Sequence, residues 1–110
     1  MSPLLTRCIH EFALLNVGYA TPGGARDRCR EASGAFCTFA RGMGVRAWVD
    51  EVAVVDGTAH KAAFLEGHIV DWTARQFSEG AAFPVILPDD CPEEDVLQAI
   101  GVGARTIPGS

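Results

Sequence analysis

Hydrophobic residues recur at helical spacing near the start of the chain. Over residues 3–16 the apolar side chains return every three or four positions, at Leu4, Leu5, Cys8, Ile9, Phe12 and Leu15. This spacing predicts an amphipathic helix, because residues three and four apart share one helix face. Cys8 is then most simply a core residue. The next segment, NVGYATPGG, is rich in turn-forming residues and predicts a loop.

A second helical pattern runs from about Asp27 to Arg41. Asp27 is the expected N-cap, and Gly42 and Gly44 supply the stop signal. The expected inward face consists of Cys29, Ala32, Phe36, Phe39, Ala40 and Met43. The run of small residues over positions 32–35 allows a neighbouring element to pack close to this helix.

Near-alternation of apolar and polar residues replaces the helical period after Gly44. The segment VRAWVDEVAVVDG predicts a strand, and AHKAAFLEG and HIVDWTA predict an antiparallel hairpin that turns at Glu66–Gly67. The proline-punctuated segment SEGAAFPVILPDDCP is expected to be irregular, followed by a short helix at about 93–100 and a loose tail, VGARTIPGS. The order predicts a single α+β domain over residues 1–110, with N-terminal helices packed on a small three-stranded antiparallel sheet.

Composition narrows the function classes. The 110 residues are 48% hydrophobic, enough for a core, and the net charge of −5 argues against binding to nucleic acid or to an anionic membrane. No apolar run reaches the roughly 18 residues of a membrane span. Charged residues interrupt the N-terminus, which lacks a signal-peptide core. We therefore expect a cytoplasmic protein. Its Ala-, Gly- and Arg-rich makeup is typical of a high-GC bacterium or phage, and its oligomeric state is not indicated.

The four cysteines do not form a recognisable metal or disulfide pattern. Cys8, Cys29, Cys37 and Cys91 are widely spaced, and no CxxC or HxxxH motif accompanies them. In one helix, Cys29 and Cys37 would lie roughly 12 Å apart along the axis, too far for a disulfide. We expect no metal or organic cofactor; a zinc or redox protein is the minor alternative. Cys37, in mid-helix, is expected in the core.

Cys29 occupies the position at which a thiolate is easiest to form. It lies in the first turn of the predicted helix, where unsatisfied N–H groups and the helix dipole favour an anion. Positive charge is expected nearby from Arg26, Arg28 and Arg30. Both effects lower the pKa of a thiol, and the thiolate is the nucleophile. The alternative is an ordinary buried thiol.

A histidine and an aspartate complete a possible catalytic set. His60 opens the second strand and Asp71 ends the third, so the hairpin brings them close to opposite each other. The carboxylate would orient the imidazole, and the imidazole would serve Cys29 as a base. Asp71 can also cap the turn that follows it. His68, at the turn, is expected to be solvated.

The order of these pieces resembles the transglutaminase-like branch of the papain-like cysteine-enzyme superfamily. RCREASGAFCTFARGMGV matches the cysteine helix, AHKAAFLEG the histidine strand and HIVDWTARQF the aspartate strand, over roughly residues 18–77. Further matches are Ser33, Gly44 and Thr73. Arg28 and Ala62 depart from the glycine and the aromatic residue that many relatives carry there.

The resemblance implies a minimal papain-like/transglutaminase-like core and a Cys29–His60–Asp71 triad. It implies acyl transfer through an acyl-thioester, of the peptidase, amidase, deamidase or transglutaminase type, on a protein or peptide substrate. The Cys29 backbone N–H is the first candidate oxyanion donor. The alternative is a non-catalytic binding or inhibitor module, in which Cys29 is structural.

Three further side chains are weaker candidates for substrate or oxyanion contacts. Trp72 lies where a cleft wall is expected, and Tyr19 lies in the loop before Cys29. Gln76 is expected either to donate to an oxyanion or to tie a loop to the sheet, and the second role is favoured because most side-chain hydrogen bonds go to backbone.

Overall fold

A computed structural model describes residues 1–102, and in this range four α-helices surround one four-stranded antiparallel sheet. The elements are α1 (Pro3–Leu15), α2 (Pro22–Ala25), α3 (Cys29–Gly42), β1 (Ala47–Val55), β2 (Thr58–Leu65), β3 (His68–Asp71), β4 (Val85–Pro88) and α4 (Glu93–Ala99). Single 3₁₀ turns occupy Val17–Ala20 and Ala74–Gln76. The α+β prediction is confirmed. The tail predicted to be loose, from residue 103 onward, lies outside the described residues.

The first helix follows from its capping residues and its apolar period. The Ser2 hydroxyl accepts from the Leu5 N–H at 3.0 Å, and Pro3 begins the first turn. The Asn16 side chain donates to the Phe12 carbonyl at 2.9 Å at the other end. The predicted helix over 3–16 is therefore confirmed. Its buried face is narrower than expected, because Leu15 is 73% exposed.

The third helix begins two residues later than predicted, and Asp27 is not its N-cap. Asp27 has a φ of 56°, so the chain reverses there before the helix starts. Arg28 takes the N-cap position without a side-chain capping bond. Cys29 is consequently the first residue of α3, and it is half-buried rather than part of the core face.

The end and the buried face of α3 follow from small residues. Gly44 has a φ of 90°, and the Val45 N–H returns to the Ala40 carbonyl at 2.9 Å, which closes the helix after Gly42. The buried residues of the helix are Ala32, Ser33, Phe36, Cys37 and Ala40. Cys37 is therefore a core residue, as predicted.

The sheet contains a fourth strand in the segment expected to be irregular. β4 pairs antiparallel with β3, from His68–Pro88 to Asp71–Val85. Pro84 precedes this short strand and Pro88 is its last residue, so the sequence signals a loop rather than a strand. Both prolines are tolerated because β4 is an edge strand, where a missing N–H costs no ladder bond.

The two faces of the sheet carry different cores, because successive side chains of a strand point to opposite faces. Ala63 and Leu65 of β2 pack with α1 and α3, whereas Ala62 packs with Val96 of α4. The first core centres on Trp72, whose ring lies 4.7 Å from that of Phe12 and 5.2 Å from those of Phe36 and Phe83, between centroids. Within residues 1–102, no helix is both long enough and apolar enough to cross a membrane.

Gly24 permits a close backbone approach just before the third helix. A Cβ at this position would overlap the Gly18 carbonyl oxygen, whereas a Cβ at Gly23 would meet open space. The α2 turn therefore packs tightly on the preceding 3₁₀ turn, and this fixes the path of the chain toward Cys29.

We expect Trp72→Ala to lower the free energy of unfolding by about 3–5 kcal/mol, because it removes the centre of the aromatic core. Trp48→Ala is the matched control: Trp48 is 44% exposed and stacks only on Phe64. Its loss should cost about 1 kcal/mol or less. Urea denaturation followed by far-UV circular dichroism measures both, and equal losses would contradict this core assignment.

Gly24→Ala should destabilise the domain by about 1–3 kcal/mol, because backbone must move to admit the methyl group. Gly23→Ala, one residue away, should change stability by less than about 1 kcal/mol. Thermal unfolding of the pair tests the close approach, and the assignment is wrong if the two variants behave alike.

Candidate active site

The candidate site forms where the ladder between β2 and β3 ends. Its last observed pair is Ala63–Val70, and the chain leaves the sheet after Asp71. Lys61, two residues beyond that pair, uses its backbone to hold α3 instead. Its carbonyl accepts from the Ser33 hydroxyl at 3.4 Å, and its N–H contributes to lowering the pKa of the Cys29 thiol. The N-terminal half of α3 is thereby held against the start of β2.

His60 and Asp71 meet in a buried hydrogen bond. The His60 Nε2 lies 2.6 Å from the Asp71 Oδ2, and both side chains are only 2% exposed. The contact runs diagonally, which corrects the predicted register: continuing the observed pairing places Asp71 opposite Ala62, not His60. Ala62 is small, so the ring and the carboxylate can reach each other across it. The bond leaves Nδ1 as the ring nitrogen available to Cys29.

The second oxygen of Asp71 is held by the turn that follows the strand. Oδ1 accepts from the Thr73 N–H at 2.9 Å and lies 3.5 Å from the Thr73 hydroxyl. Asp71 therefore fills both roles considered for it, since one oxygen caps a turn and the other meets His60. Thr73 is itself buried. The carboxylate is thus fixed at both ends and directed at the ring.

The environment of His60 favours the protonated ring. Burial opposes the charge, but hydrogen bonds to Asp71 and Cys29 outweigh it and raise the pKa of His60 to about 9. Phe77 covers the ring edge-on, with the centroids 5.1 Å apart. The imidazole is therefore both charged and restrained at neutral pH.

Cys29 differs from the other three cysteines. Its hydrogen bond with His60 is the main cause that lowers the pKa of the thiol; burial opposes it, and the Lys61 and Arg30 N–H groups support it. Burial instead raises the pKa values of the remaining thiols, Cys8, Cys37 and Cys91. All four cysteines are free.

The expected contribution of arginine side chains to the Cys29 thiolate is not found. The three candidates, Arg26, Arg28 and Arg30, are exposed to solvent. Arg28 pairs with the Glu31 carboxylate at 3.2 Å, and no arginine side chain contributes to the lowered pKa of the Cys29 thiol. The pKa of the Cys29 thiol is lowered instead by the His60 ring and by the backbone N–H groups of Lys61 and Arg30.

Cys29 and His60 line an open cleft of about 390 Å³. The other walls come from the loop before α3, the turn between β1 and β2, and the segment after β3, and they include Asp27, Asp56, Gln76 and Phe77. Asp56 and Phe77 were not among the predicted site residues. Asp56 lies in an Asp–Gly pair that signals only a turn, and Phe77 lies in the segment DWTARQF, where the end of a predicted strand indicates a cleft wall.

Of the three weaker candidates, only Gln76 lines this cleft. Trp72 does not form a cleft wall: it is 1% exposed in the aromatic core, because alternation turns it to the face opposite Asp71. Tyr19 lines a separate groove of about 360 Å³, where its hydroxyl donates to the Glu31 carboxylate at 2.8 Å. The burial of Trp72 corrects its expected role as a cleft wall, whereas the substrate contact expected of Tyr19 stays a prediction, outside the Cys29 cleft.

Comparison with known proteins gives no relative: no protein-family model, curated protein or solved structure matches this chain. Among residues 1–102, no group of three or more His, Cys, Asp or Glu side chains is placed to hold a metal ion. The chemistry of the site must therefore be inferred from its own geometry. The Asp71 carboxylate binds the His60 imidazole, and the imidazole lines a cleft together with the Cys29 thiol.

We expect the His60 ring to titrate near pH 9 in the folded protein. Asp71→Asn should lower this midpoint toward or below 6.5, since burial then acts against the charged ring without its carboxylate partner. NMR detection of the ring nitrogens across pH measures it. Asp56→Asn, which neutralises an exposed carboxylate in the same cleft, is the control and should leave the midpoint near 9. An unchanged midpoint in Asp71→Asn would contradict the assigned cause.

Proposed function

We propose that this protein is a cysteine-dependent acyl-transfer enzyme in which Cys29 is the nucleophile, His60 the acid–base group and Asp71 its orienter. One observation carries the proposal: His60, held by Asp71 in a buried 2.6 Å bond, lines the same open cleft as the Cys29 thiol at the N-terminus of α3. The His60 ring is also the main cause that lowers the pKa of that thiol. Burying a charged imidazole costs free energy, so its presence needs a reason. A histidine with a purely structural role does not require a half-buried thiol beside it, whereas a catalytic base does.

The charge state supports attack by a preformed thiolate. Because the pKa of His60 is raised to about 9 and that of Cys29 is lowered, a thiolate–imidazolium pair is favoured at neutral pH. The thiolate attacks an amide or thioester carbonyl and forms a C–S bond, while the carbonyl electrons move onto oxygen. The Cys29 N–H, at the helix start, is the candidate donor to that oxyanion.

The remaining steps use His60 as a proton carrier. The imidazolium gives its proton to the leaving nitrogen or sulfur as the old acyl bond breaks, which leaves an acyl-thioester on Cys29. Water or an amine then attacks, His60 takes its proton, and the C–S bond breaks to regenerate the thiolate. Attack by water gives a peptidase, amidase or deamidase, and attack by an amine gives a transglutaminase type of reaction.

The topology supports a minimal papain-like/transglutaminase-like core. A cysteine opens a helix, a histidine lies near the start of the next hairpin, and an aspartate ends that hairpin, all on one antiparallel sheet. The open cleft suits a protein or peptide substrate. A cytoplasmic setting keeps thiols reduced, which suits a chain with four free cysteines.

Alkylation of the native protein with iodoacetamide across pH, read by site-resolved mass spectrometry, tests this function. Cys29 should react at neutral pH about tenfold or more faster than Cys91, which is also partly exposed but has a raised pKa. His60→Ala should slow Cys29 and raise its pH midpoint. His68→Ala, which removes a histidine at the hairpin turn, is the control and should change neither.

Equal and slow labelling of all four cysteines would contradict the proposed enzymatic function. So would labelling of Cys29 that is the same in the wild type and in His60→Ala. The same result would favour a binding or inhibitor module on this fold, with Cys29 in a structural role. Selective labelling lost in His60→Ala would direct substrate screening to peptide amides first.

A further inference from the structure

Gln76 spans the two sides of the cleft with a single amide. Its Oε1 accepts from the Asp27 N–H at 3.2 Å, and its Nε2 donates to the Thr73 hydroxyl at 3.2 Å. Because a backbone N–H can only donate, the contact with Asp27 fixes which end of the amide is oxygen. One side chain thus links the loop before α3 to the turn after β3.

Both ends of this bridge lie next to the proposed reacting groups. Asp27 is two residues before Cys29 and has a left-handed backbone, a conformation that persists in a non-glycine residue only when its surroundings hold it. Thr73 binds Asp71, which binds His60. The contacts therefore close a circuit from Cys29 through His60, Asp71, Thr73 and Gln76 back to the loop that carries Cys29.

We propose that Gln76 is a positioning residue, which aligns Cys29 with His60 by tying the loop before α3 to the turn that holds Asp71. This inference rests on the proposed function and extends it to a residue that touches none of the three reacting groups. Arg75 also donates to the Ala20 carbonyl at 2.9 Å, and Trp72 packs on Phe36 of α3. The Gln76 bridge differs from these contacts because it holds Asp27, two residues before Cys29. Without it, the chain at Asp27 has more freedom to move. The thiolate and the imidazolium then spend less time in contact.

Gln76→Met tests the role, since methionine matches the length of the side chain and cannot form either hydrogen bond. We expect Cys29 alkylation at neutral pH to slow about threefold to tenfold, the range that the loss of one or two hydrogen bonds gives, and its pH midpoint to rise. Gln98→Met changes the exposed second glutamine of the chain and should match the wild type.

A second pair of variants reaches the same bridge from Thr73. Thr73→Val removes the hydroxyl that receives the Gln76 amide, but this hydroxyl also lies 3.5 Å from the Asp71 Oδ1. The variant is therefore compared in the wild-type and Gln76→Met backgrounds. If the bridge carries the effect, Thr73→Val shifts the Cys29 midpoint less in Gln76→Met than in the wild type. Thr73→Ser keeps a hydroxyl and should restore most of the wild-type behaviour. Far-UV circular dichroism of each variant confirms that labelling reports on folded protein.

An unchanged midpoint in folded Gln76→Met would overturn the positioning role. So would a slower rate at an unchanged midpoint, because that pattern marks altered access to the thiol instead of altered alignment. If wild-type Cys29 itself has an ordinary midpoint that His60→Ala does not move, the proposed function fails, and this inference fails with it. The two failures are therefore distinguishable.

Discussion

The early end of the ladder between β2 and β3 is the constraint on which the site depends. Because β3 departs after Asp71, Lys61 has a strand partner on one side only, Glu51 of β1. On the other side its carbonyl accepts from the Ser33 hydroxyl of α3, which satisfies a backbone group that the ladder leaves free. The same departure sends Trp72 into the aromatic core and lets Thr73 fold back onto Asp71. One short strand therefore positions the start of α3, the Asp71 carboxylate and the aromatic core together.

A buried charged pair is tolerable here because its oxygens are satisfied. Removing a carboxylate and an imidazolium from water costs several kcal/mol per ion, and only good geometry and additional hydrogen bonds offset that cost. Asp71 meets both conditions, since one oxygen binds His60 and the other accepts from Thr73. The turn after β3 is thus an electrostatic part of the site as well as a connection.

The sequence predicted what periodicity and turn chemistry control. The first helix, the hairpin and the proximity of His60 to Asp71 follow from apolar spacing and the Glu66–Gly67 turn. The spacing of residues does not show where a ladder of strand pairs stops. The contact of Lys61 with α3 and the burial of Trp72 in the aromatic core could therefore not be predicted. Asp27 was a reasonable cap by residue type, but the tertiary contact with Gln76 selects a different backbone for it.

Alternation along β2 and β3 places the candidate site and the aromatic core on opposite faces of the sheet. Ala63 and Val70 belong to the aromatic core, whereas His60 and Asp71 point to the other side of the sheet. The second face also contributes to the fold, because Ala62 and Ile69 pack there with Val96 of α4. A substitution at His60 or Asp71 therefore leaves the aromatic core untouched, whereas one at the neighbouring Ala63 or Val70 acts on that core directly.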